Sequence, residues 1–206
     1  MTTLTSDTVD RLAGLRPDGD IAHLRRRRPV TRAQLQASSD ALIAPLDDRE
    51  FPLVERLLVA AFATRVTADD ATAAHYAGLA SAADAARAEV VAGEASASAT
   101  AGPFGTYVEA GLRDESTDGR RYEPGLAARD ALGERLTAAL AHAHLLTVRP
   151  REAGSAALDR LLDAGWSVDG IVTLSQLVSF LAFQQRVAAG LRVLELTTPA
   201  LEEVPA

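Results

Sequence analysis

The chain of 206 residues contains no cysteine. That single absence excludes disulfides, thiolate metal sites, thiol-peroxidase chemistry and a cysteine nucleophile. Aromatic residues make up only 4% of the chain, so a core must be built from small and aliphatic side chains, the usual filling of packed helices. Positive charge is also short: the formal net charge is −7, which gives nucleic acid and anionic membranes no global attraction. The N-terminal MTTLTSDTVDRLAGL lacks the basic and apolar regions of a signal peptide. No uninterrupted apolar run approaches spanning length. The expected setting is therefore the cytoplasm, with no membrane and no nucleic-acid partner. GxSxG, P-loop, GxGxxG and HExxH patterns are likewise missing, so no cofactor and no metal site are expected.

What remains is an ordinary globular composition, 48% hydrophobic and 24% charged, whose punctuation predicts an all-α fold. Residues 1–30 read as an N-terminal arm of two short helices, broken at Arg16-Pro17-Asp18-Gly19 and stopped by Pro29. A first helical unit spans 31–92. It opens on Thr31-Arg32-Ala33-Gln34, a capping-box pattern, and its central helix carries Leu53, Val54, Leu57, Leu58, Ala61 and Phe62 at helical spacing. A break near Val66 and the acidic pair Asp69-Asp70 then start the helix that carries His75. Residues 93–125 begin with GEASASATAGPFG, which lacks large apolar residues and reads as a flexible linker and polar connection. A second helical unit covers 126–194. Its last helix, with Ile171, Leu174, Leu177, Val178, Leu181, Val187 and Leu191, is apolar enough to be central or to form an oligomer interface. Residues 195–206 form a tail. Glu55-Arg56-Leu57 and Glu134-Arg135-Leu136 make a short internal echo, the mark of a duplicated helical unit.

Few residues here can carry chemistry. His142 and His144 lie two apart, about 200° around a helix axis, so they do not grip one metal; one in packing and one at the surface is the expectation. Arg25-Arg26-Arg27-Arg28 is the one basic run, but four consecutive helical residues point four ways, and ion pairs with acidic neighbours are expected there. The remaining pair is Glu55 and His75. If two antiparallel helices meet at a turn near Val66, these side chains come level to within about 3 Å along the axis. A carboxylate beside an imidazole suits either a general acid/base or a purely structural hydrogen bond.

Glu55, followed by an apolar helix and a capped helix with His75-Tyr76, resembles the carboxymuconolactone decarboxylase and alkylhydroperoxidase D-like family. The segment LLDAGWSVDGIVTLSQLVSFLAFQQRVAAGLRVL, Leu161 to Leu194, resembles the helix after that motif in its two-part, peroxidase-related members. The resemblance implies a helical bundle of that type and a homo-oligomer. In peroxidase members a Glu precedes Cys-x-x-Cys-x-x-x-His; here Ala68 and Ala71 fall on the two cysteine positions. Glu55 and His75 carry over as candidate catalytic residues while the thiol relay does not. The resemblance then implies thiol-independent acid/base chemistry on a small organic acid or lactone, as decarboxylase members perform. The alternative is a non-catalytic helical oligomer with a structural Glu55/His75 pair.

Overall fold

A computed structural model describes residues 7–197. Among them the chain forms nine α-helices and no strand, with one isolated antiparallel bridge between Gly105 and Thr117. The all-α class follows from composition as expected. The tail from 198 onward and the first six residues lie outside the described region.

The bundle is built around α4 (Leu53–Thr67). Leu58, Val59, Ala60 and Phe62 are all fully buried, so this helix is apolar on every side in its middle, as a central helix must be. α5 (Ala71–Ala83), α6 (Ala85–Ser98), α7 (Leu126–Val148) and α9 (Val168–Thr197) pack around it. Leu136 and Leu140 of α7 and Leu174, Leu177 and Leu181 of α9 close the core. Each such leucine contributes about 1.5–3 kcal/mol by leaving water. α8 (Ser155–Asp163) buries only Ala157 and Leu161 against the bundle.

α9 is long and apolar enough by length and composition to cross a membrane. Its stripe from Ile171 to Ala188 instead faces α4, α7 and the N-terminal helices. Ser167 opens it, accepting the Gly170 amide on its hydroxyl at 3.1 Å.

Three boundaries differ from the sequence reading. α3 runs Pro29–Ile43, with Pro29 in its first turn and no side-chain cap. Proline is pre-set for that position, so the helix starts two residues before Thr31 and the capping box does not form. The second difference is the linker. Gly93 to Ser98 continue α6 as regular helix, because Val91 and Ala95 are buried against the core and small side chains suffice where helices approach closely. The third is the α4–α5 turn. α4 continues to Thr67, and Ala68 to Asp70 are extended or irregular rather than helical.

The polar connection does not trail free; it folds over its own bundle. Arg149, with a side chain 3% exposed, donates to the Gly119 carbonyl at 2.6 Å and grips Glu152. Arg121 reaches Glu152 from the other side at 2.6 Å. Tyr122 donates to the Glu94 carboxylate at 2.7 Å and lays its ring on Phe62. Gly119 passes under the Phe104 ring so closely that a Cβ there would sit 2.2 Å from it. α7 bends at Gly133, whose φ of +80° and ψ of 160° divide it into two helical segments; that region is open to glycine and costly for other residues.

The N-terminal arm is α1 (Thr8–Ala13) and α2 (Asp20–Arg26). Arg25 pairs with Asp7 and Asp10, and Arg32 pairs with the same two carboxylates at 3.1 and 3.0 Å. Arg26 donates to the Pro17 carbonyl, while Arg27 and Arg28 are exposed. The basic run is not one helix, since α2 ends at Arg26 and Arg27 and Arg28 lie between α2 and α3; its first member forms ion pairs of the kind expected.

Candidate functional site

Glu55 and His75 are not brought together. Glu55 lies twelve residues before the end of α4 and His75 four after the start of α5. That leaves them about 12 Å out of register along antiparallel axes at 1.5 Å per residue. The turn is centred on Asp69 rather than near Val66, and each residue of that shift counts once on either helix, which adds about 9 Å to the expected offset of about 3 Å. Glu55 accepts from Arg135 at 3.2 Å instead. Arg135 also donates to the carbonyls of Glu50 and Gly165 and stacks 4.0 Å over the Trp166 ring.

The internal echo has a structural meaning here. Arg56 and Arg135, the central residues of the two Glu-Arg-Leu triplets, each clasp backbone carbonyls and face an aromatic ring, Phe51 and Trp166. Those two rings meet edge to face at 4.9 Å.

His75 is half-buried on α5, its ring beside Tyr76, and makes no hydrogen bond among the described residues. Burial, then the charge of Arg11 on α1, push its pKa down. Ala68 is the extended residue after α4, and Ala71 is the first residue of α5. Around them the polar groups are structural. Asp70 caps α5 by accepting the Thr72 and Ala73 amides at 2.9 Å. Gln185 of α9 donates to Asp70 and to the Thr64 carbonyl and accepts from Thr67. Tyr76 donates to the fully buried Gln184 at 2.7 Å.

Polar groups converge elsewhere, in a groove of about 650 Å³ over α7. Its floor is the half-buried ridge Ala138, Ala141 and Leu145, one wall is α8, and the other is the 121–124 strap. At about 100° per residue, His142 and His144 fall on opposite shoulders of that ridge. Two residues that cannot share a metal thereby line one groove. Both are buried, at 5% and 2% exposure, which corrects the expectation that one would lie at the surface.

The two imidazoles are held uncharged. Burial pushes the pKa of His142 down, and the nearby positive charge of Arg160 adds to the effect. Burial likewise lowers His144; its backbone contact at Ser98 opposes this, and Arg120 and Arg149 reinforce it. His142 Nδ1 and His144 Nε2 have no hydrogen-bond partner. Among the charged lining residues, Arg121 and Arg149 are taken up by Glu152, and Arg129 by Glu134. Arg160 of α8 makes no ion pair among the described residues; neither do Glu123 and Asp163, which are exposed at the rim.

Arg160 and Tyr122 carry no motif that would single them out in the sequence. The one sequence signal for this place is the His-Ala-His doublet inside an otherwise apolar helix. Among the described residues no cluster of three His, Asp or Glu side chains is placed to hold a metal.

Fold and groove thus define an all-α protein with a polar cleft on one flank. No family model, curated protein or solved structure matches the chain.

Proposed function

We propose that this protein binds a small organic acid or lactone in the groove over α7 and supports thiol-independent acid/base chemistry there, as a cysteine-less protein of the carboxymuconolactone decarboxylase and alkylhydroperoxidase D-like kind. The observation that carries the site is the convergence of two buried, uncharged imidazoles and an arginine without an ion pair on one groove. Neutral imidazole accepts a proton at physiological pH and imidazolium returns it. An apolar floor flanked by a few polar groups is the usual build of a small-molecule site. The family part rests on the sequence pattern, with which an all-α fold agrees. The homo-oligomer it implies would cover exposed apolar residues of α9 such as Val172 and Phe183, and sedimentation velocity decides that point.

The test is a titration of isotope-labelled protein with small carboxylic acids and lactones. Shifts should concentrate on Ala141, His142 and Leu145, and Ala141→Trp should abolish them. Shifts confined to another surface would remove the groove from consideration.

A second reading has its own support. Glu55 accepts from Arg135, and the His75 ring makes no hydrogen bond among the described residues, as expected if both serve only the fold of a non-catalytic helical protein. Peroxide turnover with thiol reductants is expected to be nil under either reading.

A further inference from the structure

We infer that His142 is the proton-carrying residue of the groove, taking up a proton on Nδ1 as a carboxylate docks on Arg160 and releasing it when the acid leaves. The inference rests on the groove being the ligand site, and it adds which atom carries the proton and what drives it there.

α9 biases the tautomer. The Ser175 hydroxyl donates to the Ile171 carbonyl at 2.9 Å, so towards His142 its oxygen acts as acceptor. His142 Nε2 lies 3.5 Å from that oxygen, at the outer limit of a hydrogen bond, and this placement favours the tautomer with its proton on Nε2. The lone pair is thereby left on Nδ1, which is buried and has no hydrogen-bond partner.

The other groups around this shoulder are few. α8 contributes Arg160 and Asp163, α9 contributes Ser175, and α7 itself contributes Glu134, which is engaged with Arg129. The strap's Glu123 and the second imidazole, His144, belong to the opposite wall. Of these, Arg160 is the cation that opposes a charge on His142.

A bound carboxylate offsets that cation. In a half-desolvated groove, neutralising a like charge on the same groove favours the protonated imidazole. No bond is made or broken in the ligand: the solvent supplies one proton to Nδ1, and the acid stays ionised. The sign is fixed. Free His142 is neutral at pH 7, the bound state holds more proton, and affinity rises as pH falls through the bound-state titration midpoint. It levels off below the midpoint of the free protein.

The experiment uses the full chain with benzoate and its neutral amide. Histidine ring resonances are followed from pH 5 to 8 with and without benzoate, and binding heats are compared in buffers of different ionisation enthalpy. We expect the His142 midpoint to move up by about one pH unit, with uptake of a fraction of a proton at pH 7. Benzamide should cause no such movement. Arg160→Gln should cancel the shift, and in His142→Gln the benzoate affinity should no longer change between pH 5 and 8. Arg160 is exposed and makes no ion pair among the described residues, so its substitution leaves the fold intact. Benzoate binding in the groove without proton uptake, or pH dependence that survives in His142→Gln, overturns the inference and leaves the groove reading standing. If neither benzoate nor benzamide perturbs Ala141 and His142, the groove reading itself falls and takes this inference with it.

Discussion

At the scale of single residues, the chemistry-bearing side chains divide by what they touch. Arg135 bonds two carbonyls and Glu55 while stacking on Trp166. Arg135→Ala should cost about 2 kcal/mol in denaturant unfolding, the sum of one cation–π contact and partly exposed hydrogen bonds. Arg135 does not itself line the groove, although Glu134 and Thr137 on the same helix do, and ligand binding should be retained. His75→Ala, which breaks no hydrogen bond, should cost less than about 1 kcal/mol in the same measurement. For Glu55 and His75 the residue types are legible in the sequence and the pairing is not. Their alignment hinges on where the turn falls, centred on Asp69 rather than Val66, and a three-residue difference of that kind is not reported by sequence spacing. For His142 and His144, the spacing that rules out a shared metal is sound geometry. That same 200° separation places them on the two shoulders of one half-buried ridge, which only the neighbouring α8 and strap turn into a groove.

At the scale of elements, caps and close approaches decide the boundaries. Asp70 caps α5 and also holds Gln185 of α9. Asp70→Ala should therefore destabilise the protein by about 1–2 kcal/mol, more than a cap alone, as read by thermal or chemical unfolding. Gly119→Ala should drive the strap off Phe104. The expected result is faster amide exchange across residues 116–124 and weaker acid binding, with α4 and α9 protected as before. Helix content and the order of the helices are readable from apolar periodicity and turn residues. The helical end of α6 is not, because Gly, Ala and Ser carry little periodic signal, and a helix packed closely on α4 needs only those small residues at the contact. α8 and its stop before Gly165 are legible because a left-handed glycine after an apolar pair is a strong terminator.

For the whole molecule, two latches respond to acid. Glu152 is held at a pKa of about 2, chiefly by its hydrogen bonds from Arg149 and then Arg121, against the cost of burial. Its depressed folded value means the strap latch is fully present above the ordinary glutamate value of 4.5 and is lost only as pH falls towards 2. Asp7 also has a lowered pKa. Burial alone would raise it, but the Arg25 hydrogen bond, the Asp10 amide and the charges of Arg25 and Arg32 outweigh burial. The clamp on the N-terminal arm is thus complete above 3.8 and is lost in more acid solution. Amide exchange measured down the acid range should show the arm losing protection while the central helices keep theirs.

The arm also has its own apolar nucleus. Leu12 and Ala13 of α1 close on Ala188 of α9 as a cluster separate from the main core. Its opening therefore has a free energy of its own, smaller than that of the bundle, and the amides of α1 exchange at a rate set by that local equilibrium. A protease specific for arginine should cut after the exposed Arg27 when the arm opens, the Arg28–Pro29 bond being resistant. The cleavage rate then reports how often the arm lifts, and it stays unchanged by substitutions such as Arg135→Ala that weaken only the core.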